Sequence, residues 1–242
     1  MAGSSYVFYI IFALLPSIIW LAFFLTKDRH PEPKRVIMKV FVWGMAFAIV
    51  VALFEVSILK AIDFIFPSLD PDALWLLLFK FLFVVALTEE VAKYLVVRQA
   101  AMFDSAVDEP MDIMLYFIVC ALGFATIENL LLMIYLVDPF GIMSGLEFSF
   151  LRFVGATLLH TLTSGAFGFF VALSFYYKKN KGLLFFAGLL TAVLVHGFYN
   201  ISIIWFSGIY QIVVPAIFLL ALLILTSLGF VKLRRLKGVC RI

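Results

Sequence analysis

The sequence predicts an all-α protein, a polytopic bundle of about seven transmembrane helices that forms one integral-membrane domain over residues 1–242. Of the 242 residues, 65% are hydrophobic and only 14% are charged, and the mean hydropathy is +1.16. Ordinary soluble domains are about 45–50% apolar and about 25% charged. Apolar stretches long enough to cross a bilayer recur along the whole chain, and basic residues cluster between alternate stretches. These three observations together favour a multi-pass membrane protein.

A membrane span needs about 20 apolar residues, each rising about 1.5 Å. Seven segments meet this length: 6–26, 36–64, 73–98, 111–137, 148–177, 183–206 and 209–231. The first is expected to be a retained span, because no basic region or clear cleavage site marks a signal peptide. The last two are expected to be antiparallel neighbours, because their connection is very short. Turn-forming residues separate the segments: Pro31, Pro33, Pro67, Pro71, Pro110, Pro139, Gly141, Gly182, Ser207 and Gly208.

The distribution of basic residues orients the spans. Lysines and arginines follow the first, third, fifth and seventh segments, whereas the opposite connections contain almost none apart from Arg152. By the positive-inside rule, the N-terminus is expected outside the cell membrane and the C-terminus in the cytoplasm. Cations placed in this way contact the lipid bilayer and give no reason to expect a nucleic-acid partner. The basic residues are Lys27, Arg29, Lys34, Arg35, Arg98, Lys178, Lys179, Lys181, Lys232, Arg234, Arg235, Lys237 and Arg241.

Several charges in or near the spans are expected to be structural. Lys39, Asp63 and Arg152 lie near span ends, where long side chains reach the interface. Glu55 and Lys60 are five residues apart, outside the three-or-four spacing of helix neighbours. We therefore expect Glu55 to pair with Lys80 of the next span.

Glu89 and Glu90 are different because they lie inside the apolar third segment with Lys93 one helical turn further on. Either carboxylate can share a helix face with Lys93, but one ammonium cannot neutralise two carboxylates. The remaining acid must take up a proton, find another cation, or bind metal or water. A carboxylate of this kind is a candidate general base.

Three further ionisable residues lie inside apolar spans. Glu128 follows Phe124 and precedes Asn129 in the fourth span, His160 lies in the fifth, and His196 lies in the sixth with Asn200 one turn on. Each alone is as readily explained by a hydrogen bond between helices. Their joint occurrence is more informative, because two of the three histidines of the chain lie where charge is otherwise scarce. The sequence therefore predicts one polar site inside the membrane.

Two chemistries suit such a site. In the first, His160, His196 and a carboxylate bind Zn²⁺ with an open position for water, and a remaining glutamate accepts the water proton. In the second, Glu89 deprotonates water directly, while histidine and asparagine donors stabilise the oxyanion. No His-Glu-x-x-His helix is present, so the spacing does not choose between them.

The ordered set Glu89-Glu90-x-x-Lys93, Phe124-x-x-x-Glu128-Asn129, His160 and His196-x-x-x-Asn200 resembles the PrsW family of intramembrane proteases. The first loop, Asp28-Arg29-His30-Pro31-Glu32-Pro33, also resembles that family. The resemblance covers essentially the whole chain. The related CAAX-processing and bacteriocin-immunity membrane proteases end the second motif with His where this chain has Glu128, which favours PrsW.

The resemblance implies hydrolysis of a peptide bond in a membrane-anchored protein substrate, of the anti-sigma-factor type. The family is often classed as metalloproteases, although relatives have been argued to use a glutamate without metal. On this chain the resemblance makes Glu89 the general base, with Glu90 and Lys93 positioning it and balancing its charge. It makes His160, His196 and Glu128 zinc ligands or groups that orient water and the oxyanion. Asn200 becomes an oxyanion donor, and Phe124 supports the second motif.

A proton- or ion-coupled transporter or channel is the alternative, because intramembrane Glu and His residues also form proton relays. Paired broken helices or an inverted repeat, which many transporters show, are not evident in the sequence. A catalytically inactive scaffold is a third reading.

Overall fold

The computed structural model describes residues 2–28, 30–137 and 142–236, and throughout these ranges the regular structure is helical. The predicted turn at Pro139 and Gly141, and the basic residues Arg29, Lys237 and Arg241, lie outside them. The helices are α1 (Ala2–Leu25), α2 (Lys34–Ile65), α3 (Leu74–Leu78), α4 (Leu87–Ala100), α5 (Pro110–Leu132), α6 (Ile142–Val154), α7 (Ala156–Tyr176), α8 (Lys181–Trp205) and α9 (Tyr210–Leu233). A π-helical segment, Phe79–Ala86, joins α3 to α4, a second one, Met133–Val137, extends α5, and a 3₁₀ turn, Lys178–Asn180, precedes α8.

Six helical segments of the described chain are long and apolar enough to cross a membrane: Val7–Leu25, Lys34–Ile65, Pro110–Tyr135, Met143–Tyr176, Lys178–Trp205 and Tyr210–Leu233. They correspond to six of the seven predicted spans, which confirms a multi-pass helical membrane protein. The predicted span 73–98 is not among the six. It is helical, but it combines two α-helices with a π-helical segment and carries Lys80, Glu89, Glu90 and Lys93. Seven spans are therefore not confirmed.

Helix α5 forms the centre of the bundle. Its side chains from Ile113 to Leu122 are all buried, and α1, α2 and α7 pack around it. A helix that is apolar on every side is stable only when other helices cover it. The outer helices α1, α2, α8 and α9 instead expose aliphatic and aromatic side chains, as expected of surfaces that face lipid.

Two glycines allow α2 and α5 to approach closely. A methyl group on Gly123 would lie 2.1 Å from the carbonyl oxygen of Phe41, and one on Gly44 would lie 2.4 Å from that of Cys120. Small residues at such crossings bring membrane helices into backbone contact. This crossing fixes α2 beside the polar residues carried by α5.

Basic connections meet at one end of the bundle. Arg35 at the start of α2 lies 3.8 Å from Asp104 in the α4–α5 connection. The Arg234 guanidinium, after α9, donates a hydrogen bond to the carbonyl of Lys27, after α1. Three of the four connections that the sequence assigned to one membrane face therefore share one end of the folded chain.

The predicted span 148–177 is interrupted at Gly155, which has φ −104° and ψ −99° and separates α6 from α7. The π-helical segment Phe79–Ala86 interrupts the helix that leads to Glu89 in a similar way. Short π-helical stretches are frequent at functional sites because they re-aim the side chains that follow. Both irregularities directly precede residues of the predicted polar site.

We predict that Gly123→Ala lowers the melting temperature of the protein in detergent. The added methyl group cannot fit 2.1 Å from a backbone oxygen, so the α2–α5 crossing must open, at a cost of about 1–3 kcal/mol. The matched control is Gly182→Ala, because a methyl group there has no atom within 4 Å. Equal melting temperatures for the two variants would contradict the close crossing.

Candidate active site

The Lys93 ammonium lies at the centre of a buried polar cluster. Its Nζ lies 3.1 Å from Glu89 Oε2, 2.8 Å from Glu90 Oε1 and 3.0 Å from His160 Nδ1. None of these four side chains is more than 4% exposed. The predicted neighbour relation of Glu89, Glu90 and Lys93 is confirmed, and His160 provides a third partner from α7.

These contacts determine how His160 is protonated. An ammonium has three N–H donors and no acceptor, so the nitrogen it contacts, His160 Nδ1, must accept. The other nitrogen, Nε2, then carries the hydrogen and donates it to Glu128 Oε2 at 2.6 Å. The network thus assigns His160 as a neutral imidazole with its proton on Nε2. All three Lys93 donors are used.

Glu128 is held by a cation that the sequence analysis did not place at the site. Arg152 Nη2 donates to Glu128 Oε2 at 2.8 Å, and Arg152 Nε donates to Asn129 Oδ1 at 2.5 Å. The expectation that Arg152 reaches the interface was wrong. Glu128 and Asn129 offer it acceptors, so its guanidinium turns inward. One feature of the sequence could have indicated this role: Arg152 is the main basic residue on the side of the protein whose connections otherwise contain almost no lysine or arginine.

Glu90 orients His196. Glu90 Oε1 accepts a hydrogen bond from His196 Nδ1 at 3.1 Å, and Glu90 Oε2 accepts one from Ser164 Oγ at 3.0 Å. Because Nδ1 donates, His196 presents Nε2 as its acceptor nitrogen. The rings of His196 and His160 meet edge to face, 4.9 Å between centroids. Glu90 is fully buried and accepts hydrogen bonds through both oxygens, which suits a positioning role.

Glu89 borders a cavity of about 470 Å³. Four helices and the π-helical segment surround this space, which we call the site cavity. Its polar lining comes from Glu55, Glu89, Glu128 and Asn200. Its remaining lining residues are Ala48, Val51, Ala52, Phe81, Val85, Phe124, Leu131, Leu132, Ile203 and Ile204.

Asn200 and Phe124 also lie close to the buried polar cluster. Asn200 lines the site cavity together with Glu89. The Phe124 ring lies 4.8 Å from Lys93 Nζ and 6.2 Å, between centroids, from the His160 ring. The aromatic face therefore shields the ammonium on one side while leaving Glu89 open to the cavity.

The predicted pair between Glu55 and Lys80 was wrong. Lys80 Nζ instead lies 3.4 Å from Asp63 Oδ1, near the end of α2. Asp63 is two turns further along α2 than Glu55, and Lys80 stands at the start of the π-helical segment beside it. Glu55 is left in the site cavity with one buried oxygen, Oε1, that has no hydrogen-bond partner among the described residues.

The donor set suits a divalent metal such as zinc. Glu89, His160 and His196 each offer a ligand atom, all within 4.8 Å of one another and all buried. Two imidazoles and one carboxylate are the ligands of many catalytic zinc sites. Metal–ligand bonds are about 2.0–2.2 Å long. To bind one metal ion, the three side chains would therefore have to move closer together, and His160 would have to give up one of its two hydrogen bonds. Glu128, predicted as the third ligand, contacts His160 but is not in this three-donor group; Glu89 takes that place.

Fold and site together define a polytopic membrane protein with a buried set of glutamate and histidine residues beside a cavity between its helices. Comparison with known proteins agrees. Residues 32–226 match the PrsW family intramembrane metalloprotease profile. The chain belongs to the PrsW family of membrane proteases and is thus a multi-pass integral membrane protein, in bacteria of the cell membrane.

Relatives named Protease PrsW match most of the chain. Protease PrsW of Oceanobacillus iheyensis is 28% identical over 219 residues, which are 89% of this chain and 92% of that protein. Protease PrsW of Clostridioides difficile is 27% identical over 191 residues, 78% of this chain and 76% of that protein. No solved structure matches the chain.

We predict that Lys93→Met strongly destabilises the protein. The substitution leaves the carboxylates of Glu89 and Glu90 buried without their ammonium, which typically costs about 3–5 kcal/mol. Thermal unfolding in detergent measures the loss. Arg35→Met is the control, since Arg35 is exposed and its 3.8 Å pair with Asp104 contributes at most about 1 kcal/mol. A melting temperature of Lys93→Met equal to that of the control would refute the network.

Proposed function

We propose that the protein is an intramembrane endopeptidase that hydrolyses a peptide bond in a membrane-anchored protein substrate of the anti-sigma-factor type. One observation carries the proposal. The Glu89 carboxylate, held by Lys93 at 3.1 Å, borders the site cavity next to His160 and His196. A carboxylate that borders a cavity, with two imidazoles behind it, suits the activation of water.

Glu89 is the general base in this proposal. Lys93 holds Oε2, so the carboxylate points in one direction and keeps an oxygen for a water molecule in the cavity. Glu89 accepts the proton as the water attacks the substrate carbonyl, and the same carboxyl then returns it to the leaving amine. Low dielectric around the site strengthens each of these interactions.

Two side chains complete the chemistry. Asn200 lines the cavity beside Glu89, and its amide N–H groups are the donors for the developing oxyanion. His196 presents Nε2 because Glu90 holds Nδ1, so it can take up and release a proton. Glu90, Glu128 and Arg152 act as positioning residues through the hydrogen bonds described above.

Zinc is the proposed cofactor. His160, His196 and Glu89 would hold it, and when bound it would lower the pKa of a coordinated water. With Glu89 as a ligand, a remaining glutamate of the site cavity, Glu128, would accept the water proton in its place. The alternative is the same set of residues acting without metal. His160 currently accepts a hydrogen bond from Lys93 through Nδ1, so metal binding there competes with the ammonium.

A substrate helix must unwind to be cleaved, because a helical backbone hides its peptide carbonyls. The site cavity suits this step. Leu131, Ile203 and Ile204 line it and are also exposed on the outer surface of the bundle. The cavity therefore reaches a lipid-facing surface, through which an unwound segment can enter from the membrane.

We also propose that the helical stretch from Leu74 to Ala100 is a seventh span, with the N-terminus outside and the C-terminus in the cytoplasm. The basic connections share one end of the bundle, and Asn200 and Leu131 of the cavity lie in the last turns of α8 and α5, away from that end. The cavity then opens in the outer half of the membrane.

The orientation predicts which cysteines react in intact cells. In a background without Cys120 and Cys240, a membrane-impermeant maleimide should label Ser68→Cys, between α2 and α3, in intact cells. Asn180→Cys, between α7 and α8, should be labelled only after the cells are permeabilised. The opposite pattern would reverse the topology. Labelling of both in intact cells would mean an even number of spans between them, so the stretch from Leu74 to Ala100 would not cross the membrane.

We predict that Glu89→Gln lowers cleavage of a tagged single-span substrate by purified protein by about 10²–10⁴-fold, as expected for loss of a general base. The variant should stay folded for two reasons. Gln has the size of Glu, and Glu90 remains to balance the charge of the Lys93 ammonium. Asp63→Asn is the control, since Asp63 lies outside the site cavity. Near-normal turnover by Glu89→Gln would remove Glu89 from this role. Robust ion flux with no cleavage of any substrate would favour a transporter.

We predict about one zinc ion per chain in active protein and its loss in His196→Ala. The reason is that His196 offers Nε2 to the proposed metal group. Elemental analysis of purified protein gives the stoichiometry, and chelation followed by zinc addition tests dependence. Full activity in protein without stoichiometric metal would support the glutamate mechanism instead.

A further inference from the structure

The site cavity contains one carboxyl that the proposed chemistry does not use. Glu55 lies on α2 and lines the cavity together with Glu89. Its Oε1 is buried and has no hydrogen-bond partner among the described residues. Buried polar atoms in proteins are nearly always paired, so an unpaired one on a cavity requires an explanation.

The basic residues near Glu55 are already engaged. Lys93 contacts Glu89 and Glu90, and Arg152 contacts Glu128 at 2.8 Å. Lys80 pairs with Asp63 at 3.4 Å. Lys60 is exposed and five residues away on the same helix, where it faces another direction. Among the acids that line the cavity, Glu55 is thus the one that the described residues leave without a cation.

The walls next to Glu55 are apolar. Ala48, Val51 and Ala52 come from α2, and Phe81 and Val85 come from the π-helical segment. Walls of this kind match the alkyl stem of a lysine or arginine, whose charged head needs a polar partner at the far end. A cavity of about 470 Å³ is within the usual range for ligand pockets, about 300–1,000 Å³.

We propose that Glu55 forms a subsite that binds a basic side chain, Lys or Arg, of the substrate within a few residues of the cleaved peptide bond. The inference rests on the proposed function. Glu55 and Glu89 line the same cavity from different helices, so a basic side chain anchored at Glu55 determines which peptide bond reaches Glu89. Glu55 is therefore a specificity and positioning residue.

A hydrogen bond to a charged partner contributes about 1.5–3 kcal/mol. Converted at 1.4 kcal/mol for each factor of ten, this predicts an effect of about ten- to a hundredfold on kcat/KM. The preference should require the charge of Glu55, because an amide in its place keeps the acceptor oxygen but offers no negative charge to a cation.

The test uses a single-span substrate that the wild-type protein cleaves, with the cleavage position mapped by mass spectrometry. Lys, Met and Glu are placed in turn at each of the positions around the cleaved bond. We expect one position at which Lys raises kcat/KM about ten- to a hundredfold over Met. Glu55→Gln should bring this Lys/Met ratio close to one, and Glu55→Lys should favour Glu at the same position. Asp63→Asn, an acid of the same helix paired elsewhere, should keep the wild-type ratio.

The outcomes separate the two proposals. If the wild type cleaves no single-span substrate, the proposed function fails, and the subsite with it. If it cleaves but shows no Lys preference at any position, or if Glu55→Gln keeps the full preference, the subsite is overturned and the protease remains. The Glu55→Gln ratio decides the question even if Glu55→Lys does not fold, and its melting temperature checks that it is folded.

Discussion

The hydrogen bonds of the Lys93 ammonium hold the site together. A lysine in the interior of a membrane protein is stable only if its charge is balanced and each of its donors has an acceptor. Lys93 meets this condition with Glu89, Glu90 and His160 as its three partners. The three acceptors differ in kind, so this one cation has three effects. It orients the Glu89 carboxylate, balances the charge of the buried Glu90 carboxylate, and determines the tautomer of His160.

The consequences extend from this centre in two directions. Through Glu90, the network reaches His196 and Ser164, and so ties α4 to α8 and α7. Through His160, it reaches Glu128 and then Arg152, which ties α7 to α5 and α6. Glu89 is the member of the Lys93 set that borders the cavity. The hydrogen bonds thus hold the other side chains of the network in place, while the Glu89 carboxylate faces the cavity, where it can take part in chemistry.

Part of this arrangement could be predicted from the sequence, because helix periodicity is local. The three-and-four spacing placed Glu89 and Glu90 beside Lys93, and the scarcity of charge in the spans singled out Glu128, His160 and His196. Convergence of these residues on one site was predicted from their joint occurrence in spans that otherwise carry almost no charge, and not from spacing. Six of the seven predicted spans are confirmed, because length and hydropathy identify a continuous apolar helix.

The remainder depended on how helices pack, which periodicity does not report. Arg152 turned inward because two acceptors on α5 were in reach, and Lys80 paired with Asp63 because both lie near the same helix ends. The stretch 73–98 is not confirmed as a span because it carries Lys80, Glu89, Glu90 and Lys93, charges that suit a buried site but are rare in a simple membrane-crossing helix. The π-helical segment that precedes α4 has no sequence signature, since it differs from an α-helix only in its hydrogen-bond register.

The central claim is that Lys93 donates to His160 Nδ1 and thereby keeps the ring neutral with its proton on Nε2. Nitrogen NMR of protein labelled at histidine, with the His160 signals assigned by their loss in His160→Asn, measures this directly. The account predicts an unprotonated Nδ1 and a protonated, hydrogen-bonded Nε2 in the metal-free protein. A proton on Nδ1 would contradict it, because that nitrogen could not then accept from the ammonium.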